Sequence, residues 1–408
     1  MFYLSGIIIT FFLTIILLTK KGKTIADNVL AAWLFVIGMH LFLFYWNITG
    51  ELYKHAYLLG IQIPMPLLQG PLLYIYTVTA TRDQGFVKTN WLHFIPAAIA
   101  YVALSKFFLL SPEEKINVYK HEGAGFETYT TINLIALIVS GFTYVLLSFY
   151  ELRKYKKKIN DEFSDTEKIN LNWLRYLIYG ILIIWVIILL NGHDPLIFGA
   201  VVVFVMLIGY FGIKHIGIFT YRKVILKQAV KPKEDGISGI AISEDSNVKE
   251  ETELLPAVEK KEIYSKSEEE ADSQTVARVK YERSGLQKEE ADKIYLRLNQ
   301  LMQKEKTYKK EELSLAYLAQ LLGIHSNNLS QVINTYEKKS FYDYINSLRI
   351  EEFKKLALLP ENSRYTLLSL AFECGFNSKT SFNRNFKKIT GESPSAYLKK
   401  LNVELVSE

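Results

Sequence analysis

Seven apolar stretches follow one another through the first half of the chain, at about Phe2 to Leu18, Val29 to Trp46, Ala56 to Ala80, Trp91 to Leu110, Tyr129 to Phe149, Trp173 to Leu190 and Pro195 to Phe211. At ~1.5 Å per residue, a helix of such length crosses most of a ~30 Å hydrocarbon layer. After Phe219 the apolar positions thin out, and Glu, Lys and Ser dominate until about residue 285. Such a segment buries too little apolar surface to hold itself folded. From Lys288 the spacing of three and four residues returns, with Ile294, Leu298 and Leu301 on one face, and it persists to the end. The pattern predicts an all-α chain in three parts: a seven-helix transmembrane bundle over 1–222, a disordered acidic linker over 223–285 and a helical domain over 286–408.

Within the third part, two short units share one plan. Thr366 caps a helix with Leu367, Leu370, Ala371 and Cys374 on one face. Gly375 ends it, because glycine takes the positive φ that a tight interhelical turn needs. Ser378 then caps a helix from Lys379 to Thr390, with Phe382, Phe386 and Ile389 placed inward and Lys379, Thr380, Asn383, Arg384 and Lys387 outward. Gly391 and Pro394 close it. Upstream, Ser314 caps a helix that Gly323 ends, and a second begins near His325 or Ser326 and runs to about Tyr336. Leu329, Val332 and Ile333 face inward there, while Asn327, Asn328, Ser330, Gln331 and Asn334 face outward. A helix from Phe341 to Leu358, roughly 27 Å long, joins the units and is close to the ~34 Å of one duplex turn. Outer faces of amides, hydroxyls and cations suit helices lying in a major groove.

Charge sharpens the division. Residues 1–227 carry 20 Lys and Arg against 13 acids, 228–284 carry 9 against 14, and 285–408 carry 19 against 15. The last balance is weak for a nucleic-acid binder, but residues 379–400 hold six cations and one acid. In the first part, loops alternate in charge. With the N-terminus outside, inner segments gather sixteen Lys and Arg, among them Lys20, Lys21, Lys23, Arg82, Lys168 and the 153–158 run, and outer segments gather four. That bias places everything after Phe211 in the cytoplasm of a cell whose inner membrane holds the bundle. Trp46, Trp91 and Trp173 lie near span ends, where interfacial anchors sit. In the third span, Pro64, Pro66 and Pro71 interrupt the backbone ladder. A plain kink is the simpler reading there, and a broken helix lining a cavity the alternative.

The run Ala371, Gly375, Phe376, Ser378, Phe382, Phe386, Lys387, Lys388, Gly391, Pro394 and Tyr397 resembles the signature of AraC/XylS-type transcription regulators. The resemblance covers roughly residues 290–400. The upstream unit departs from it, with Gly-Ile-His in place of Gly-Phe-Asn-Ser. The resemblance implies a double helix-turn-helix that binds promoter double-stranded DNA. The positions matching base-facing sites are Asn327, Ser330 and Gln331 in the first unit and Thr380, Asn383 and Arg384 in the second. Lys379, Lys387, Lys388 and Lys399 are expected at phosphates.

It also brings RNA polymerase as a partner beside the bilayer, with homodimerisation and the identity of the membrane-side signal open. The longest outer loop, about 110–128, is too short for a folded ligand domain, so a signal would enter between the helices, from the bilayer or from another protein. No enzyme motif, cofactor or metal site is expected: the chain lacks His-Glu-x-x-His, a phosphate-cradling glycine loop and Gly-x-Ser-x-Gly, and Cys374 is its single cysteine, read as core. Two alternatives remain: a transporter or receptor with the C-terminal part as regulatory appendage, and a protein-interaction module.

Overall fold

The computed structural model describes residues 1–211, apart from 83, 84, 122, 168 and 191, and residues 286–407. The expected linker over 223–285 therefore lies outside the described residues, as do Lys168 and the cations after Phe211. Among the described residues every regular element is helical, and one isolated antiparallel bridge pairs Phe163 with Ser314.

The main helices of the N-terminal half are α1 (Phe2–Thr19), α2 (Ile25–Thr49), α3 (Gln69–Thr81), α4 (Ile95–Ala103), α5 (Glu127–Glu162), α6 (Asn172–Leu189) and α7 (Asp194–Phe211). By length and composition, α1, α2, α5, α6 and α7 are able to cross a membrane. The third and fourth expected spans are broken. Residues from Ala56 to Leu68 form short 3-10 turns, and α3 begins only after Pro64 and Pro66 have removed two backbone donors. The cavity alternative, not the plain kink, describes this span: Gln62, Ile63, Pro66 and Gln69 line a cavity of about 280 Å³ together with His40, Trp185 and Phe198.

The bundle is apolar inside and out. Trp33, Leu34, Leu41, Leu73, Leu174 and Val205 are buried, while Ile8, Phe12, Ile15, Val139, Leu146 and Ile183 are exposed on its outer surface. A helix that is hydrophobic all round belongs in a core or in lipid, and among the described residues these outer faces have no protein against them. Threonine hydroxyls inside the bundle bond back along their own helices, as Thr14 donates to the Thr10 carbonyl and Thr77 to the Leu73 carbonyl, which satisfies those donors in an apolar setting. Trp173 is buried beside Tyr76 and is not an interfacial anchor. Polar ties collect at the end holding Lys20 and Arg82: Lys20 pairs with Asp27 at 3.1 Å, and Arg82 forks onto the buried Glu151 of α5.

The C-terminal domain contains α8 (Lys288–Gln300), α9 (Leu315–Leu322), α10 (Ser326–Tyr336), α11 (Phe341–Ala357), α12 (Leu367–Glu373), α13 (Lys379–Thr390) and α14 (Pro394–Ser407). Two cores share α11. Its first half sends Phe341, Tyr344 and Ile345 among Leu298, Leu318, Leu329 and Ile333. Its second half sends Ile350 and Phe353 among Leu370, Cys374, Phe376, Phe382 and Phe386. Ile389, expected inward, is 39% exposed and stands outside the core that Phe382 and Phe386 form with α11. Burial pushes the Cys374 thiol up to about 12, so it remains a protonated core residue.

Candidate nucleic-acid interface

The turn before α13 is fixed by Gly375, whose φ is +94° and where an added Cβ would stand 2.5 Å from the Lys309 carbonyl oxygen. Both the backbone conformation and the close approach require glycine there. Ser378 then caps α13, its hydroxyl accepting from the Ser381 amide at 3.0 Å. With Phe382 and Phe386 inward, Lys379, Thr380, Asn383, Arg384, Lys387 and Lys388 come to the exposed side, as the spacing predicts.

Two of these are held from behind by the start of α11. The Tyr342 hydroxyl accepts from Arg384 at 2.8 Å and from the buried Asn385 amide at 2.7 Å, and Lys388 pairs with Asp343 at 2.6 Å. Tyr342 is a bracing residue that sequence spacing does not reveal, because it reaches α13 from 42 residues away.

In the first unit, Ser314 caps α9 through the Tyr317 amide, and Gly323 ends it at φ +67°. Along α10, Asn327 is exposed and Ser330 and Gln331 are half-buried. Ser330 accepts from Asn334, and the Gln331 amide nitrogen is buried with no hydrogen-bond partner among the described residues. Lys399 is exposed on α14. The structure therefore gathers Thr380, Asn383, Arg384, Lys379, Lys387 and Lys388 on one helix, and Asn327, Ser330 and Gln331 on another. The buried α11 fixes the spacing between the two.

On α11, two buried charged side chains hold the 306–310 segment in place. Arg349 is 1% exposed and donates to the carbonyls of Tyr308 and Lys310 at 2.7 and 2.6 Å. Burial lowers its pKa to about 10, which leaves it charged at neutral pH. Glu352, 4% exposed, receives Lys306 at 2.7 Å, Lys309 at 3.0 Å and the Tyr308 hydroxyl at 3.1 Å. Burial alone would raise its pKa, but these donors outweigh it and hold the carboxyl at about 2.

The segment joining α5 to α6 docks on this domain, a contact that no hydropathy pattern announces. Ser164 is fully buried: its amide and hydroxyl donate to the Leu313 carbonyl at 3.1 and 2.7 Å, and its carbonyl accepts from the Asn346 amide at 2.9 Å. Arg349 reaches its hydroxyl at 3.3 Å. Further along, Asn377 donates to Asp165, and the capping Ser378 hydroxyl donates to Glu167.

Comparison with known proteins agrees with this geometry. A family described as a helix-turn-helix domain matches residues 318–400. An uncharacterized HTH-type transcriptional regulator of Staphylococcus aureus (strain COL) is 33% identical over 87 residues, covering 21% of this chain and 11% of that protein. The chain thus spans about a tenth of that relative's length. No solved structure matches. Capped helix pairs, glycine turns and the family match converge on one conclusion: the C-terminal domain is a helix-turn-helix domain of the AraC type.

Proposed function

We propose that the chain is a membrane-embedded transcription regulator of a single polypeptide, in which the N-terminal bundle lies in the cytoplasmic membrane with its N-terminus outside and the C-terminal domain reads promoter DNA inside the cell. The observation that carries the coupling is the docking of residues 163–167, between two long apolar helices, onto the helix-turn-helix domain. Any change that moves α5 or α6 moves a segment bonded to the reader. The bundle's cavity, apolar with His40, Gln62 and Gln69 on its wall, is where a stimulus would act.

In this reading, Asn327, Ser330 and Gln331 face one groove segment and Thr380, Asn383 and Arg384 the next, while Lys379, Lys387, Lys388 and Lys399 lie along phosphates. An Asn or Gln pairs with adenine and an Arg with guanine, each worth ~1–3 kcal/mol of discrimination. RNA polymerase and a second copy of the chain are the further partners this reading brings.

The test is binding of the full chain, in lipid nanodiscs, to the DNA upstream of its own coding region across a salt series. Sequence-selective binding that weakens with salt and loses affinity and selectivity in Arg384→Ala supports the reading. Binding with neither salt slope nor dependence on Arg384 removes it.

A further inference from the structure

The α5–α6 segment meets the C-terminal domain at the leading end of α13. Helix N-termini favour anions, through their free amides and the helix dipole, and a recognition helix enters the groove by that end. The anions now beside it are the chain's own, the carboxylates of Asp165 and Glu167. Each has taken a neutral donor, the Asn377 amide and the Ser378 hydroxyl, of the kind phosphate oxygens commonly engage. Both donors immediately precede Lys379 and Thr380.

We propose that residues 163–167 are a built-in competitor of DNA: they occupy the surface through which the second helix-turn-helix would meet a duplex backbone, so loop docking and DNA binding exclude each other. This rests on reading α13 as a groove helix. A phosphate brought within hydrogen-bond reach of Ser378 meets two carboxylates instead of free donors, and like charges at that distance repel.

The loop does not hang on its carboxylates alone. Ser164 is gripped by Leu313, Asn346 and Arg349, so it returns to one register. It also begins directly after Glu162, where α5 ends after 36 unbroken helical residues. A shift of that rigid helix is transmitted to the loop without an intervening joint. Because competitor and reader share one chain, the loop's effective concentration is high, and apparent DNA affinity falls by the fraction of reader left undocked.

The test uses the full chain in nanodiscs and a mixed-sequence duplex of roughly 40 base pairs at about 50 mM salt, since backbone competition needs no target sequence. The double variant Asp165→Asn with Glu167→Gln is expected to bind about ten-fold tighter than the parent. In a second variant, Phe163→Cys with Ser314→Cys, the two positions pair across the antiparallel bridge, within reach of a disulfide. Cys374 is buried and does not compete. Oxidation should lock the loop in place and abolish binding, and reduction of the same sample should restore it, a comparison that no folding defect mimics. Equal binding by the oxidised and reduced forms, or unchanged or weaker binding by the neutralised variant, overturns the competitor while leaving the DNA reading intact. Failure of every form to bind any duplex overturns both.

Discussion

Arg384 is exposed and has one guanidinium nitrogen committed to Tyr342, a bond that limits its rotamers. If it reads guanine, Arg384→Ala should cost ~1–3 kcal/mol at one base position and relax specificity there. Lys387→Ala, on the same helix but without such a brace, should weaken binding to all sequences and reduce the salt slope by about one. Competition binding on single-base variants of a selected site distinguishes the two outcomes. Glu352 gives a prediction about stability. Its folded pKa, about 2, lies below the ordinary 4.5, so its ion pairs stabilise the domain fully above that value. The contribution fades as pH falls from about 4.5 toward 2. Glu352→Gln should therefore cost on the order of 2 kcal/mol at pH 7 and much less near pH 2.5, as read by urea unfolding followed through the domain's tyrosines.

At the scale of elements, α11 is the one helix that neither reading unit can do without. Phe353, fully buried, contacts both Phe382 and Phe386, with ring centroids 4.7 and 5.6 Å away. Phe353→Ala should cost ~3–5 kcal/mol and raise amide exchange through α12 and α13 more than through α9 and α10. Turn glycines behave differently from core residues. At Gly375 a methyl group meets the Lys309 backbone, which cannot rotate aside, so Gly375→Ala combines positive-φ strain with displacement of that strand of chain. At Gly391, φ is also positive but nothing lies within 4 Å, so alanine there carries the conformational strain alone. Thermal unfolding of the two variants should rank Gly375→Ala as clearly the less stable.

At the scale of the whole molecule, the bundle's exposed apolar belt and the cations at one end are compatible with a bilayer, and the proposed function puts the docked domain on the charged side of it. Lys20, Arg82 and the 163–167 loop all lie toward the end where α5 meets the helix-turn-helix domain. A reporter fused after residue 227 should accordingly read as cytoplasmic, and an exterior signal would separate the reader from any chromosome and end the proposal. Unlike a freely tethered domain, a docked one samples a single orientation until the loop lets go.

Hydrophobic periodicity by itself determined the all-helical class, the apolar half, the capped helix pairs and the core positions Leu370, Cys374, Phe382 and Phe386. Those depend on local spacing and on glycine, serine and threonine acting within a few residues of themselves. Local spacing failed where a residue's environment comes from elsewhere. The third span broke into turns around a cavity because prolines removed donors that neighbouring helices had to replace. Trp173 turned inward because Tyr76 was there to meet it, and Ile389 stayed outside the core that Phe382 and Phe386 joined. Only the tertiary structure decided that Tyr342 braces Arg384 and that Ser164, Asp165 and Glu167 close on the reader. Those contacts join positions 42 to 212 residues apart, and chain folding, which no short-range pattern encodes, is what brings their charges and donors within bonding distance.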